Sequence, residues 1–218
     1  MTDFADFCAQ IADYANREDW SQSLLTSFVR DAEQKLNSEL RIDRMINTDD
    51  AIIASCCAPI PDDWLEMTFL KMAANTPSGW LPLRYRPRDE FFRLPNNAYA
   101  FGYGTQIQST YGSYTIEGRQ IYFGGIPDEV NGRTFRMSYF AEVPVFSDDQ
   151  DSWVYDKYPS LYRYAALMHA DLHAVGEEDK AGAMKQLTED MIGKLNSDFQ
   201  RARASGSRLA RSRTRSFG

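Results

Sequence analysis

The sequence predicts an α+β fold: N- and C-terminal helices forming a four-helix bundle, a small antiparallel β module inserted between the second and third helices, and an extended C-terminal arm. Three observations predict it. Apolar residues recur at helical spacing near both ends of the 218-residue chain. Eight of the nine prolines lie between Pro59 and Pro144, and eight of the thirteen glycines between Gly79 and Gly132, which is turn punctuation between short strands. The last eighteen residues, RARASGSRLARSRTRSFG, hold six arginines and no acid. The expected boundaries are 1–46 and 152–204 for the bundle, 47–151 for the β module and 205–218 for the arm.

Asp3 suits the N-cap of a first helix whose Phe4, Phe7, Cys8, Ile11 and Ala15 share one face. A second helix follows Trp20-Ser21, with Leu25, Phe28, Ala32, Leu36 and Leu40 as its stripe and Arg30, Asp31, Lys35 and Glu39 outside. Ala51–Ala54 reads as a strand, as does Trp64–Met72 after the turn Pro61-Asp62-Asp63. Leu81–Tyr85 carries Pro82 and suits an edge. Tyr114–Ile116 and Gln120–Phe123 flank the tight loop Glu117-Gly118-Arg119. Asn131-Gly132 beside the alternating run Thr134–Phe140 is a hairpin signal. At least five strands therefore form a small antiparallel sheet or sandwich. Pro159 suits a first helical turn, and Leu161, Ala165, Met168, Leu172 and Val175 line the helix that Gly176 stops. Glu177, Glu178 and Asp179 favour the start of a last helix with the stripe Met184, Leu187, Met191, Leu195 and Phe199. The Ser and Gly residues beyond Ala204 argue that this helix ends there.

Charge is distributed unevenly. The formal total is −7, with +6 on residues 201–218 and thus −13 on residues 1–200. Arg201, Arg203, Arg208, Arg211, Arg213 and Arg215 suit a negative partner. Arginine without lysine fits bidentate pairing with carboxylates. A second reading is a nucleic-acid-binding protein whose arginine tail grips phosphates. No run of about 18 apolar residues exists, so no membrane span is expected. The acidic start Met1–Asp6 is unlike a signal peptide. Cys8, Cys56 and Cys57 form neither a disulfide framework nor a zinc spacing, which fits a reducing cytosol.

Catalytic and cofactor motifs are weak. His169 and His173 stand at i and i+4, but Ala170 occupies the place of the zincin glutamate, and neither a third histidine nor a cysteine is near in sequence. They read as packing histidines, so no metal is expected. Asp62-Asp63 and Asp148-Asp149-Asp151 lack EF-hand spacing and read as solvated turns. Gly102-Tyr103-Gly104 lacks the third glycine of a dinucleotide loop, Ile107 standing in its place. There is no G-x-S-x-G and no P-loop. No enzyme activity and no cofactor are expected. Gly182 and Gly193, eleven residues apart, sit opposite the stripe of the last helix, where each costs roughly 1 kcal/mol against Ala. Close approach of a neighbouring subunit is one explanation; tolerated flexibility is the other.

Three stretches carry a resemblance. Pro59-Ile60-Pro61-Asp62-Asp63-Trp64-Leu65-Glu66-Met67 looks like an L-P-x-D-F-L-E entry to a first β hairpin. Pro82–Phe91, PLRYRPRDEF, is similar to P-L-x-x-x-S-x-x-E-F. Tyr158–Leu167, YPSLYRYAAL, resembles Y-P-D-L-Y-L-Y-G-A-L, with Ser160 and Ala165 in place of Asp and Gly. Read together they resemble the head–tail adaptor (connector) proteins of tailed bacteriophages. The resemblance implies a structural virion protein, assembled in the host cytoplasm into a homo-oligomeric ring, usually a dodecamer, in the neck beneath the portal protein. Such a ring seals the filled head and docks tail or neck proteins, while genomic DNA passes through its channel without specific binding. It also implies that the arginine arm latches to the portal, and that Asn96–Thr110 and Asp148–Asp151 are loops that meet tail components.

Overall fold

A computed structural model describes residues 4–73, 79–93, 101–102, 105–106, 112–124, 130–174 and 178–214, with side chains described at all of these except 101–102, 105–106 and 206–214. The Asp3 cap, Val175, Gly176 and most of Asn96–Thr110 lie outside these residues. The chain divides into two compact units, one of Met1–Met45 with Glu142–Gly218 and one of Ile46–Ala141.

The first unit is built from α1 (Phe4–Ala15), α2 (Gln22–Glu39) and the later helices of the chain. The apolar spacing of α1 places Phe4, Phe7, Cys8 and Ile11 in the core. Helix α2 starts where the Ser21 side chain accepts from the Leu24 N–H, and it buries Leu25, Phe28, Ala32 and Leu36. A break at Val143–Ser152 precedes the short helix that will be α4 (Trp153–Lys157); α5 (Pro159–His173) and α6 (Glu178–Thr214) complete the unit. Pro159 opens α5, where its missing N–H costs no helical bond. Helix α5 is central, packing against α1, α2, α4 and α6. It accordingly buries Leu161, Tyr162, Ala165, Ala166, Leu167, Met168, Ala170 and Asp171, more than one stripe.

Phe146 organises this core. Its ring lies 5.3 Å from Phe4, 5.8 Å from Phe7, 5.0 Å from Tyr155 and 6.0 Å from Tyr162. A buried carboxylate pins it there. Glu33, 5% exposed, accepts from the Phe146 N–H at 2.7 Å and the Tyr162 hydroxyl at 2.5 Å, both through Oε1, while Oε2 pairs with Arg30 at 2.7 Å. Arg30 also donates to the Phe146 carbonyl at 3.1 Å. Burial and the neighbouring carboxylate push the Tyr162 hydroxyl pKa far up, so it stays a donor.

The second unit holds β1 (Ile46–Ile52), β2 (Cys57–Pro59), β3 (Trp64–Ala73), β4 (Trp80–Pro82), β5 (Arg84–Tyr85), α3 (Arg88–Arg93), β6 (Phe101–Gly102), β7 (Thr105–Gln106), β8 (Ser113–Glu117), β9 (Gln120–Phe123) and β10 (Thr134–Ala141). Two four-stranded sheets form, in the orders β1-β10-β3-β4 and β2-β9-β8-β5; β6 and β7 pair separately. One core joins residues of both larger sheets, with Leu70, Met72, Phe135, Met137 and Tyr139 from one and Ala58, Tyr114, Ile121 and Phe123 from the other. Leu81–Tyr85 lies at a sheet edge as expected, but it is shared between two edge strands, β4 of one sheet and β5 of the other. Its first residues pair with β3 and its last with β8, in parallel, and the buried Leu83 marks the crossing.

Several expectations are corrected. The fold is not a four-helix bundle carrying a small β module. Among the described residues there are six helices and two substantial sheets, α3 lying within the β unit. The sheet was underestimated because β1 begins with the polar run Asn47-Thr48-Asp49-Asp50. Its seven-residue ladder with β10 holds it, overriding local propensity. Asn131-Gly132 is a turn, with Gly132 at φ +77, but the strand after it pairs with β1 and β3 rather than returning on β9. Asn131 instead accepts from the Cys56 N–H at 2.7 Å, and Gly132 donates to the Ile53 carbonyl at 2.9 Å. The Gly118 hairpin forms as expected, at φ +59.

The extended arm is also corrected. The backbone stays helical through Thr214. A helix already formed over 178–204 adds residues without a new nucleation cost. The Arg, Ala and Leu residues of the tail are good helix formers, which offsets Gly206 and the serines. Finally, the buried line of α6 is Ala181, Thr188, Ile192 and Phe199, and Leu187 is 41% exposed. Thr188 tolerates burial because its hydroxyl donates to the Met184 carbonyl at 2.8 Å.

Candidate docking surfaces

Helix α6 has 37 residues, and at 1.5 Å per residue it is a rod of about 55 Å. Its middle is clamped to the end of α2. Asn196 accepts from the Arg41 N–H at 2.7 Å and donates to the Glu39 carbonyl at 2.8 Å, closing backbone groups that the end of α2 leaves open. Lys35 pairs with Glu39, and with Glu189 at 3.5 Å. Among the described side chains Phe199 is the last buried one, and Gln200–Ser205 are all exposed. Beside this exit lies a groove of about 520 Å³, lined among others by Ile42, Arg44, Lys157, Tyr158, Leu195 and Phe199.

The predicted site residues fall along this helix. Arg201 donates to Asp198 at 3.2 Å and is 78% exposed, so the pair contributes little. Arg203 lies over the Phe199 ring at 5.5 Å. Arg208, Arg211 and Arg213 stand on the helical backbone, and Arg215 lies outside the described residues. Gly182 and Gly193 are exposed, and a Cβ at either would meet nothing within 4 Å. Packing within the chain therefore does not require glycine at either position.

His169 and His173 do not share an environment. His169 has a buried Nε2 without a hydrogen-bond partner, and burial lowers its pKa. His173 lies against Trp20 and Phe28, with ring centroids 6.3 and 5.5 Å away. Among the described residues no three His, Cys, Asp or Glu side chains are grouped to hold a metal ion. Asp62 pairs with Arg119 at 2.5 Å. Asp63 and Asp49 lie 3.1 and 2.9 Å from the Tyr139 hydroxyl, whose pKa is raised by burial and by both carboxylates. Asp148, Asp149 and Asp151 ride an exposed tight turn closed by Ser147 and Gln150.

One surface was missed by the sequence reading. On the face of the first sheet away from its core, Phe69, Trp80 and Ile52 are 46%, 37% and 66% exposed. Lys71 lies over both rings, 5.6 Å from Phe69 and 4.9 Å from Trp80. Arg136 lies over Trp80 at 5.0 Å and is held flat by two 2.5 Å bonds to Asp50. The signal in the sequence was the alternation in β3, where Leu70 and Met72 point to the core and Phe69 and Lys71 point out.

The chain matches the family described as SU10 adaptor protein over residues 2–214. It belongs to that family. This is a family of phage head–tail adaptors, so the SU10-type adaptor described here is a structural component of a phage virion that works among portal and tail components. No curated protein matches the chain. Among the described residues of this adaptor, no helix is long and apolar enough to cross a membrane.

Proposed function

We propose that copies of this adaptor close into a ring, twelve being the usual number for such connectors, between the portal and the tail, where the ring seals the filled head. The helical unit forms the ring wall, and the exposed helix faces bearing Gly182 and Gly193 allow a neighbour's backbone to come close. The β unit meets tail or neck proteins. The net negative charge of residues 1–200 keeps passing DNA from adhering.

The basic end of α6 latches to the portal. The observation that carries this reading is the continuation of α6 beyond Phe199, the last buried residue among the described side chains, as a helix whose backbone carries Arg201, Arg203, Arg208, Arg211 and Arg213, with no acid in the sequence after Asp198. These arginines lie on a helix already in place, and an acidic partner surface stabilises its exposed end further through guanidinium–carboxylate pairs. The test is co-sedimentation of the full chain with portal rings at physiological salt. Replacing all six arginines by alanine is expected to abolish co-assembly. Unchanged binding refutes the latch, and strong binding of DNA by the isolated wild-type chain, falling steeply with salt, favours the nucleic-acid reading instead.

A further inference from the structure

We propose that the outward face of the first sheet is an intersubunit socket, and that it receives the acidic turn Asp148–Asp151 of a second copy of this chain. The proposal rests on the ring reading and names a contact within it.

The face departs from the ordinary pattern of a solvated sheet surface, which is polar. Ile52, Phe69 and Trp80 are all large, apolar and exposed. Three such residues on one sheet face mark a contact surface rather than scattered exposure. The cations among them are arranged in advance. Arg136 is fixed by two bonds to Asp50 against the Trp80 ring, and Lys71 stands over both rings. With Asp50 counted, the patch carries one net positive charge. Lys71 has no carboxylate within ion-pair distance among the described residues, so its ammonium donors remain for a partner. Three other cations of the β unit are already matched, Arg86 with Glu90, Arg88 with Glu117 and Arg119 with Asp62, and Arg133 donates to the Ala73 carbonyl.

The chain carries the complement. Asp148, Asp149 and Asp151 are exposed and have no ion-pair partner among the described residues. Val145, three residues ahead of the turn, is 46% exposed. The turn thus presents an apolar foot and an acidic tip, and the sheet presents aromatic rings beside an unpaired ammonium. Such a pairing joins one part of a copy to a different part of the next. It is heterologous, the type of contact that closes a ring by rotation. Partial exclusion of water by the rings strengthens each charge pair relative to one in open solvent.

The test uses the full chain. Equal amounts of light and nitrogen-15-labelled protein are mixed and coupled with a zero-length carbodiimide reagent. Peptides joining Lys71 of one isotope to Asp148, Asp149 or Asp151 of the other are expected. Self-association is then measured by sedimentation for K71E, for D149K/D151K, and for K71E combined with D149K. Each one-sided change is expected to weaken association by about tenfold or more, and the combined swap to restore most of it. The turn variant changes residues of the helical unit, so it keeps the test valid if K71E disturbs the β unit. Full association in both one-sided variants overturns the socket and leaves the ring. Absence of self-association by the wild type, alone and on portal rings, overturns the ring reading and the socket with it. If K71E alters only retention on DNA, the socket is likewise overturned.

Discussion

Replacing Glu33 by alanine is expected to be among the most damaging single changes in the helical unit. The carboxylate is 5% exposed, and its Oε1 takes both the Phe146 N–H at 2.7 Å and the Tyr162 hydroxyl at 2.5 Å. Alanine leaves both donors buried without an acceptor, at about 1–3 kcal/mol each. It also deprives Arg30 of its partner, although Arg30 retains the Phe146 carbonyl. A total of about 3–5 kcal/mol follows. For a chain of this length that lowers Tm by about 6–20 °C. Glutamine separates the terms. Its carbonyl takes the place of Oε1 and keeps both donors satisfied, while its amide faces Arg30. E33Q exchanges the ion pair for an amide N–H facing the guanidinium, donor against donor, which Arg30, 34% exposed, relieves by turning to water; it is expected to cost about 1–2 kcal/mol. The assay is urea and thermal unfolding followed by far-UV circular dichroism. Equal costs for E33A and E33Q, or a cost below about 1 kcal/mol for E33A, refute the reasoning.

Three further outcomes follow from other residues. Gly132→Ala, at φ +77, is expected to destabilise by about 1 kcal/mol, whereas G182A and G193A, on an open helix face, each stabilise the isolated chain by about 0.5–1 kcal/mol and weaken ring assembly if a neighbour approaches there; unfolding midpoints and sedimentation check both. The His169 pKa is lowered in the folded chain, so folding favours its neutral form. Its contribution is present above the unfolded value near 6.5 and is lost as pH falls below it toward the folded value; H169Q is expected to flatten the acid side of the stability profile. Burial pushes the Cys8 thiol up to about 11, so thiol reagents at pH 8 are expected to spare Cys8 until the chain unfolds, as peptide mapping of labelled protein would show.

Much of the helical unit was legible in the sequence because local pattern and tertiary role coincide. The stripes of α1 and α2 and the Pro159 start of α5 are written at spacings of a few residues. The Gly118 hairpin is equally local. What sequence reading missed depends on distant partners. Glu33 gives no signal in α2, since its partners lie 113 and 129 residues on. β1 is a strand by virtue of β10, some ninety residues away, and Asn131-Gly132 serves Ile53 and Cys56 rather than an adjacent strand. In the tail, the serines and glycine speak against helix residue by residue, and the cheap growth of a helix already in place overrides them. The socket stayed hidden because an exposed Phe or Trp in a strand looks like any other apolar residue until the face it occupies is fixed.

The crossing at Leu81–Tyr85 has a mechanical consequence. Five consecutive residues stitch two sheets together: the Leu83 N–H is held by the Leu70 carbonyl at 2.9 Å, and the next N–H, of Arg84, by the Gly112 carbonyl at 3.0 Å. Tension arriving along this strand is divided between both ladders, each loaded in shear, so neither sheet can peel open without straining the other. In a structural component of a phage virion, such a shared seam makes the β unit yield as one body.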